Sequence, residues 1–548
     1  MILEGNINDT TEIKYIDIIR NYIKDKNIDK TKTYHTFEDN LPPKIKMSFN
    51  KLKNGTIINN LKEILKNYDI INVTEMNELA TSSIGSVGSD KVFENIHVDG
   101  LYAVYPFCIL FRCILGISGN TSVETIFPLD DKNITITTNK YLLFDYNRIC
   151  HYIKKNNIND DTQRIILKIH YAAIPKILNN KFIINSFTYI NHTLNTLQRN
   201  NFLRAQIPNN TLQKINSFMI NTMSIVYGNF IFYLGYFNLF TILYLYYNYD
   251  KNMIYLISIL PYLIYINEYI FEAIKLSEFK RDAKLYKLIV WCIILYNYFQ
   301  YPINNYSIAG LLLGSFITFT SFMALGDDRT YYGEKLNNLQ PLRITSFPYN
   351  LIYHPMVIGN LISLSSLLLN KNFNNDWSTI IYINMAGYII YLLIEIFDIN
   401  SSFSFNNMKN EFNKYHQKNE NILIHILTSF ISLMCIFAIG NKYIKIDNFC
   451  VSVISYLTFK YSINDKNIIL PSALFITLAS VFSVFLQNLP IVNLFLLLII
   501  LIGFQELSHH IYLEKTYLSS YTKNTNNKFE KFLLHTFWLV PLILSNYF

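Results

Sequence analysis

The chain has 548 residues, of which 51% are hydrophobic and only 16% are charged, against about 25% charged in a typical soluble domain. This composition excludes a disordered protein and disfavours a wholly soluble one. The 47 Lys and Arg residues exceed the 39 Asp and Glu residues by only 8, so the net charge does not indicate nucleic acid as a partner. The six cysteines form no C-x-x-C pair, and we expect reduced thiols facing a cytosol-like compartment.

Charged residues recur steadily up to about residue 214, which predicts a soluble domain over 1–214. Its first residues include acids and no basic segment before an apolar run, so we expect no cleaved signal peptide. Beyond 214, stretches of 35 to 39 residues lack any Asp, Glu, Lys, Arg or His, at 215–249, 288–326 and 467–505. Because a membrane helix needs about 20 apolar residues, the pattern predicts nine to eleven transmembrane helices in all-α polytopic bundles.

Basic residues gather in the linkers between these stretches, at 275–287, 329–343 and 409–418. The positive-inside rule favours the cytoplasmic side for such linkers. We therefore expect a multi-pass protein of an endoplasmic-reticulum-like membrane, with its N-terminal domain facing the cytosol.

A strand-rich region of the soluble domain contains residues suited to metal binding. His97 and Asp99 are two apart, so on a strand both side chains leave the same face. His151 comes late in a second strand region, and Arg164 and Lys168 lie on one face of the next predicted strand. Two histidines and one carboxylate can hold Fe(II) on one octahedral face and leave three positions open for an oxidant and a bidentate ligand.

In this order of residues, 90–175 resembles the Fe(II)/2-oxoglutarate oxygenases, whose fold is a double-stranded β-helix of the α+β class. The resemblance implies His97, Asp99 and His151 as iron ligands, with Arg164 or Lys168 binding the distal carboxylate of 2-oxoglutarate. His170 competes with His151 as the distal ligand, but no cation follows it on a strand. The alternative is a β-helix that keeps the fold without metal.

The segment 322–364 places polar residues and glycines at a membrane boundary, where they are costly and indicate a site. Its pieces LG…TYYG and FPYN…HPM…GN, with a glutamate in AGYIIYLLIEIFD, resemble the phospholipid N-methyltransferases over about 220–405. The resemblance implies an S-adenosylmethionine pocket with His354 and Glu395 as catalytic residues. The residues that it assigns to the pocket lining are Gly326, Thr330, Tyr332 and Gly333, with Pro355 and Gly359 beside them. Two positions depart from the family, Arg329 in place of a glycine and Ile396 in place of a second glutamate.

Histidines and acids also cluster near the C-terminal end of the sequence. His416 and His425 are nine apart, which would put them on opposite sides of one continuous helix, so we expect them to flank the entry into a helix. His509 and His510 follow a long uncharged run. Histidines with acids at helix boundaries favour a metal site over isolated hydrogen-bonded side chains.

The patterns around these histidines resemble the membrane 2-hydroxy-fatty-acid dioxygenases, which use Fe(II), over about 410–548. YHxxxxNxxIH matches from Tyr415 to His425, and FQxxxHxxxE matches at Phe504 and Gln505 with its glutamate displaced by one, to Glu514. The resemblance implies His416, His425 and either His509 or His510 as iron ligands. The basic residue, proline and alanine that follow in the family are replaced by KTYLSS.

Together these features predict three domains, at 1–214, 215–405 and 406–548, in a membrane-anchored enzyme that modifies lipids. The predicted cofactors are Fe(II), 2-oxoglutarate and S-adenosylmethionine, and the predicted partners are phospholipids or 2-hydroxy acyl chains, without nucleic acid. The alternative is a non-catalytic transporter or scaffold that retains degenerate enzyme folds.

Overall fold

The computed structural model describes residues 1–26, 34–82, 93–99, 108–119, 123–155, 164–206, 210–247, 249–342, 344–397, 405–443, 447–514 and 538–547. The chain divides into two compact units, residues 1–235 with 547–548, and residues 236–546. The predicted boundaries after 214 and 405 stay predictions. The replaced KTYLSS segment lies outside the described residues.

Among the described residues, unit 1 contains nine strands and five helices. The strands are β1 Ile2–Asn6, β2 Tyr34–Phe37, β3 Tyr68–Ser82, β4 Ile109–Gly116, β5 Val123–Phe127, β6 Lys132–Thr135, β7 Lys140–Asp145, β8 Tyr152–Lys155 and β9 Arg164–Pro175. The helices are α1 Thr10–Asp25, α2 Pro43–Lys53, α3 Thr56–Ile64, α4 Lys181–Gln206 and α5 Thr211–Tyr233. Antiparallel pairs build a six-stranded sheet of order β1-β7-β4-β9-β3-β2 and a three-stranded sheet of order β6-β5-β8.

The six-stranded sheet has buried side chains on both faces. Successive side chains of a strand point to opposite faces, so each central strand contributes to both layers of the core. On β9, Ile165 and Leu167 pack with α1, α2 and α3, whereas Ile166 and Ala172 pack with the three-stranded sheet through Phe127. Helix α1 begins where the Asp9 side chain accepts a hydrogen bond from the Thr11 amide. The N-terminal region is therefore β-rich, as predicted, but the described strands do not establish a double-stranded β-helix.

Unit 2 is helical throughout the part of the chain that the structure describes. Its helices are α6 Tyr236–Tyr247, α7 Lys251–Phe271, α8 Leu276–Tyr298, α9 Asn305–Leu325, α10 Asp327–Thr330, α11 Gly333–Leu336, α12 Pro355–Leu367, α13 Lys371–Ile396, α14 Phe405–Tyr415, α15 Asn419–Asn441, α16 Asn448–Lys460, α17 Lys466–Phe482, α18 Ile491–Ile511 and α19 Leu539–Leu544. Buried side chains of α7, α8, α12, α13 and α16 share one core. Cys435 and Ala438 of α15 pack against Leu494 of α18.

The described helices include six that are long and apolar enough to cross a membrane, or seven if 225–233 and 237–247 form one bent span. The six are Met253–Phe271, Asn305–Leu325, Lys371–Ile396, Asn419–Asn441, Lys466–Leu486 and Ile491–Ile511. A multi-pass membrane protein is thus supported, but the predicted nine to eleven spans are not. Some uncharged runs form helices too short to span, such as α12 with 13 residues, and most of the last run lies outside the described residues.

Candidate functional site

The first predicted metal site is assembled by pairing the 93–99 segment with the chain before β8. His97 and His151 exchange both backbone hydrogen bonds, at 3.0 and 2.9 Å, and the Asp99 amide donates to the Tyr146 carbonyl. Residues paired directly in this way project their side chains to one face, and Asp99, two residues after His97, shares that face. The structure therefore brings His97, Asp99 and His151 together.

The ligand atoms of this triad, the first triad, converge in a buried space. One possible ligand atom from each residue lies within 4.8 Å of the others. His151 Nε2 is 3.2 Å from Asp99 Oδ2, and His97 Nε2 is 3.7 Å from Asp99 Oδ1. The three side chains are 2 to 6% exposed.

Both imidazoles are held in the orientation that metal binding requires. His97 Nδ1 donates to the Asn95 carbonyl at 2.8 Å, and His151 Nδ1 donates to the Ile149 carbonyl at 3.1 Å. Each Nε2 is then directed toward Asp99, and that of His97 is buried without a hydrogen-bond partner. Burial, together with the neighbouring His151, lowers the pKa of His97 to about 4, so this imidazole is neutral at pH 7.

This donor set fits Fe(II). Adjacent ligands of an octahedral ion with bonds of about 2.1 Å lie about 3 Å apart. The 3.2 Å between His151 Nε2 and Asp99 Oδ2 is close to this value, and the 3.7 Å between His97 Nε2 and Asp99 Oδ1 is longer. The backbone carbonyls that accept from each Nδ1 are the outer partners that fix a metal-binding histidine. An ion would also satisfy the orphaned Nε2 of His97, which otherwise costs about 1–3 kcal/mol.

A cation that sequence reasoning missed lies beside this triad. Arg112 of β4 contacts Asp99 Oδ2 at 2.6 Å, and its Nε donates to His170 Nε2 at 3.0 Å. Burial alone would raise the pKa of Asp99, but Arg112 and the two triad imidazoles outweigh it and hold the pKa well below the usual value. In the sequence, the single arginine within the otherwise apolar run ILFRCILG could have indicated that Arg112 has a buried partner.

The other predicted residues of unit 1 have different surroundings. His170 bonds to Arg112 and to Asn77 Oδ1, and it is not part of the first triad. The Lys168 ammonium pairs with the buried Glu78 carboxylate, which also contacts His35. Arg164 is buried at the start of β9, opposite Ser82. A 2-oxoglutarate carboxylate would have to displace Glu78 in order to bind Lys168.

The second triad consists of His416, His425 and His509. Their ring centroids are 4.7 to 5.0 Å apart, and one ligand nitrogen of each lies within 4.8 Å of the others. His416 follows α14 and His425 lies in α15, so the two flank a helix entry as predicted. All three are buried, whereas His510 is exposed, so the structure brings His509 rather than His510 to this site.

Hydrogen bonds orient the second triad. His416 Nδ1 donates to the Phe412 carbonyl at 3.0 Å, His425 Nδ1 donates to the Asn421 carbonyl at 3.1 Å, and the Asn421 amide lies 3.3 Å from His509 Nδ1. The Nε2 atoms of His416 and His509 are buried without hydrogen-bond partners. Burial, with His425 adding to it, lowers the pKa of His416 to about 3. Three neutral, convergent imidazoles suit a divalent transition metal.

Glu514, displaced by one position from the family pattern, supports this triad without belonging to it. Its carboxylate accepts hydrogen bonds from the amides of Gln417 and Lys418 at 2.8 and 2.7 Å, and from the Asn421 side chain. Asn421 also accepts from Ser508 Oγ at 2.6 Å. The acid therefore fixes the loop that carries His416 and the amide that faces His509.

The predicted S-adenosylmethionine residues lie around the end of α9 and the start of α12. Gly326 has φ of +82°, and a side chain there would meet no atom within 4 Å, so it borders open space. Thr330 Oγ1 donates to the Gly326 carbonyl at 2.7 Å. His354 Nδ1 is 3.9 Å from Glu395 Oε2, and the Tyr391 hydroxyl hydrogen-bonds the same carboxylate. The open space beside Gly326 could admit part of a cofactor, and the Glu395 carboxylate could pair with an α-ammonium.

Tyr332, Gly333 and Arg329 surround the same turn. The Tyr332 ring lies 6.0 Å from the Tyr391 ring, which links it to Glu395. Gly333 is buried at the start of α11. Arg329 Nε lies 3.4 Å from a Glu334 carboxylate oxygen, and Arg329 Nη2 donates to the Gln340 carbonyl at 3.3 Å. The Arg329 side chain therefore contacts residues of the loop in which it lies.

Gly359 has a packing role between α9 and α12. A Cβ atom there would lie 2.5 Å from Thr318 Oγ1 and 2.7 Å from the Gly314 carbonyl, and one at Gly314 would lie 2.4 Å from the Gly359 carbonyl. The two backbones approach closely only because both residues lack a side chain, as at many membrane helix interfaces. Pro355 begins α12 directly after His354.

Comparisons with known proteins support part of this organisation. The phospholipid methyltransferase family model matches residues 304–400, from the start of α9 to just beyond α13. This segment is thus of the phospholipid methyltransferase type, which confirms that resemblance over a shorter range than predicted. No curated protein matches the chain.

Two solved structures show limited similarity. One is a viral collagen prolyl hydroxylase from Paramecium bursaria Chlorella virus-1, with 13% identity over 32% of this chain and 90% of that one, at a TM-score of 0.22. The other is a prolyl 4-hydroxylase from Phytophthora capsici, with 11% identity over 42% of this chain and 82% of that one, at a TM-score of 0.25. Scores at this level assign neither fold nor activity.

Proposed function

We propose that the protein is a membrane-bound, multi-domain enzyme of lipid modification that methylates a phospholipid amine with S-adenosylmethionine. The observation that carries this proposal is the family match over 304–400, within which His354, Glu395 and the open space at Gly326 lie. The cofactor would supply an activated methyl group. Glu395 would pair with the α-ammonium of the cofactor, and the open space beside Gly326 would admit the adenosyl group.

We further propose that unit 1 is an Fe(II)- and 2-oxoglutarate-dependent oxygenase. The support is the buried first triad, with His97, Asp99 and His151 as ligands. When bound, the iron would supply the redox centre for oxidation by dioxygen. The protein keeps both imidazoles oriented by their Nδ1 bonds, excludes bulk water from the site, and holds the carboxylate by Arg112. Arg164, or Lys168 after displacement of Glu78, would bind the distal carboxylate of 2-oxoglutarate.

The second triad is the proposed iron site of a 2-hydroxy acyl dioxygenase module. The support is the convergence of His416, His425 and His509 at a boundary of the membrane helices, with His416 and His425 oriented by Nδ1–H groups that donate to backbone carbonyls. The protein's own contribution is to keep three neutral ligands in place, with Glu514 and Asn421 as their scaffold. This module and the methyltransferase segment would both act on lipid substrates.

The test uses the full chain in nanodiscs that contain phosphatidylethanolamine. With labelled S-adenosylmethionine we expect labelled monomethyl lipid, and with Fe(II) and 2-oxoglutarate we expect succinate. Glu395→Gln should abolish methyl transfer alone, and His97→Ala should abolish succinate release alone. His192→Ala, at an exposed histidine of unit 1, should change neither. Absence of methylated lipid from the unmodified chain would refute the first proposal, and absence of succinate would refute the second.

A further inference from the structure

A row of buried polar side chains extends from the first triad across the six-stranded sheet. Arg112 of β4 and His170 of β9 lie directly opposite each other, and Arg112 Nε donates to His170 Nε2 at 3.0 Å. The Nη1 atom of the same guanidinium contacts Asp99 Oδ2 at 2.6 Å. Arg112 is 6% exposed and His170 is fully buried. The carboxylate of the triad is therefore linked to a histidine that is not itself part of the triad.

The side chain of Asn77 holds the ring of His170. The pairing of β3 with β9 shifts register between Val73 and Glu78, and Asn77 lies in this irregularity, where a side chain can leave the regular alternation. Asn77 Oδ1 accepts hydrogen bonds from the backbone amide of His170 at 2.8 Å and from its Nδ1 at 3.1 Å. A neutral histidine that carries its proton on Nδ1 presents Nε2 as an acceptor. The ring is therefore in the form that Arg112 requires.

A buried ion pair supports the far end of this row. Asn77 Nδ2 donates to Glu38 Oε2 at 2.8 Å, and Glu38 Oε1 accepts from Lys53 Nζ at 2.9 Å. Burial, with Arg112 adding to it, holds the pKa of His170 well below its usual value, so the ring is neutral at pH 7. A neutral ring keeps the Nε2 lone pair available to Arg112.

The guanidinium of Arg112 is held at both of its ends. A planar guanidinium bonded through one nitrogen can still swing, whereas bonds at Nε and Nη1 together fix its plane. The ring of Tyr146 lies 5.2 Å from Arg112 Cζ and meets the ring of His170 edge-on, also at 5.2 Å. The orientation of the Asp99 carboxylate thus depends on His170 through Arg112.

We propose that His170 is a positioning residue of the iron site: it fixes Arg112, and Arg112 fixes Asp99 in the orientation that binds the ion. The inference rests on the proposed oxygenase function and deepens it. The sequence offered His170 as a competing ligand, whereas here it acts one residue further from the ion. Removing an outer partner of this kind typically changes metal affinity about 10- to 100-fold.

The test is an anaerobic titration of the full chain with Fe(II), in a His509→Ala background that removes a ligand of the second triad. His170→Phe removes both ring nitrogens and should weaken iron binding about 10- to 100-fold. His170→Gln offers an amide oxygen to Arg112 and an amide N–H to Asn77, so it should stay within about threefold of the parent. Thermal unfolding of each variant is recorded alongside.

His35→Phe is the matched control. The His35 ring is also buried in unit 1, and it contacts the Glu78 carboxylate at 3.1 Å. This variant should lower the unfolding temperature and leave iron affinity within about threefold of the parent. If His170→Phe did the same, with a lower unfolding temperature and unchanged iron affinity, its role would be structural and the proposal would be overturned.

A double variant tests whether His170 acts through Arg112. Arg112→Met alone should weaken iron binding at least as much as His170→Phe does. In the Arg112→Met chain, His170→Phe should add less than about threefold, because the effects of two residues that share one contact do not add. A further tenfold loss in the double variant would contradict this route.

Succinate release, measured on the same preparations, separates this proposal from the function on which it rests. Iron affinity that depends on His170 in a chain that releases no succinate refutes the proposed function alone. Succinate release with unaltered iron affinity in a folded His170→Phe variant refutes the positioning role alone. A parent chain that binds no iron refutes both.

Discussion

The adjacent pair His509 and His510 offers a sharp test of the second triad. His509 is buried beside His416 and His425, whereas His510, one residue later on α18, is exposed. His509→Ala should therefore remove a metal ligand, and His510→Ala should not. To isolate this triad from the first one, both changes are made in a His97→Ala background.

The size of the effect follows from the orphaned nitrogens. A buried polar atom without a partner costs about 1–3 kcal/mol, and a bound ion relieves that cost at the Nε2 of His509. At about 1.4 kcal/mol per decade, losing this relief alone weakens binding roughly 5- to 150-fold, and the lost coordination bond adds to it. We expect the dissociation constant to rise at least a hundredfold in the His509 variant and to change less than about threefold in the His510 variant.

The assay is an anaerobic titration of the full chain with Fe(II), followed by measurement of bound iron per chain. The unmodified chain should bind two ions, the His97→Ala chain one, and the chain that lacks both His97 and His509 none. Equal damage from the His510 and His509 substitutions would refute the assignment of His509. No iron in the His97→Ala chain would refute the second triad as a whole.

Three further changes probe the scaffold. Burial alone would raise the pKa of Glu78, but the charges of Lys168 and His35 outweigh burial and lower this pKa. The ionised carboxylate therefore stabilises the fold above about pH 4.5, and this contribution is lost as the pH falls below that value. Glu78→Gln should cost about 3–5 kcal/mol at pH 7 and flatten acid unfolding monitored by circular dichroism. Gly359→Ala should overpack the α9–α12 contact and destabilise unit 2 by about 1–3 kcal/mol in thermal unfolding. Glu514→Gln should weaken iron binding about 10- to 100-fold without abolishing it.

Each of these changes has a counterpart that should be silent. Glu420→Gln, at an exposed position of the first turn of α15, should leave iron affinity as it is. A Cβ at Gly503 meets no atom within 4 Å, so Gly503→Ala should not lower the unfolding temperature. Asp17→Asn removes a half-buried ion pair with Arg20 at the surface and should cost less than about 1 kcal/mol. A silent counterpart that proved as damaging as its test variant would contradict the corresponding argument.

The sequence predicted the parts of the sites that depend on local spacing. Side chains two apart on a strand share a face, so His97 and Asp99 could be paired before any fold was known. The Tyr-Tyr-Gly motif and the glutamate at 395 indicated the methyltransferase segment, and the match over 304–400 confirms it. The nine to eleven membrane spans are not confirmed by the six or seven found among the described residues, because an uncharged run gives composition but not the positions where helices end.

What the sequence determined by itself is the set of residue types at fixed short spacing, because strand and helix periodicities are properties of the local backbone. Only the tertiary structure decided which distant groups meet. It brought Arg112 to Asp99 and His509 rather than His510 to the second triad. Such contacts depend on strand register and on the rotation of packed helices, and a shift of one residue in either would direct different side chains into the site.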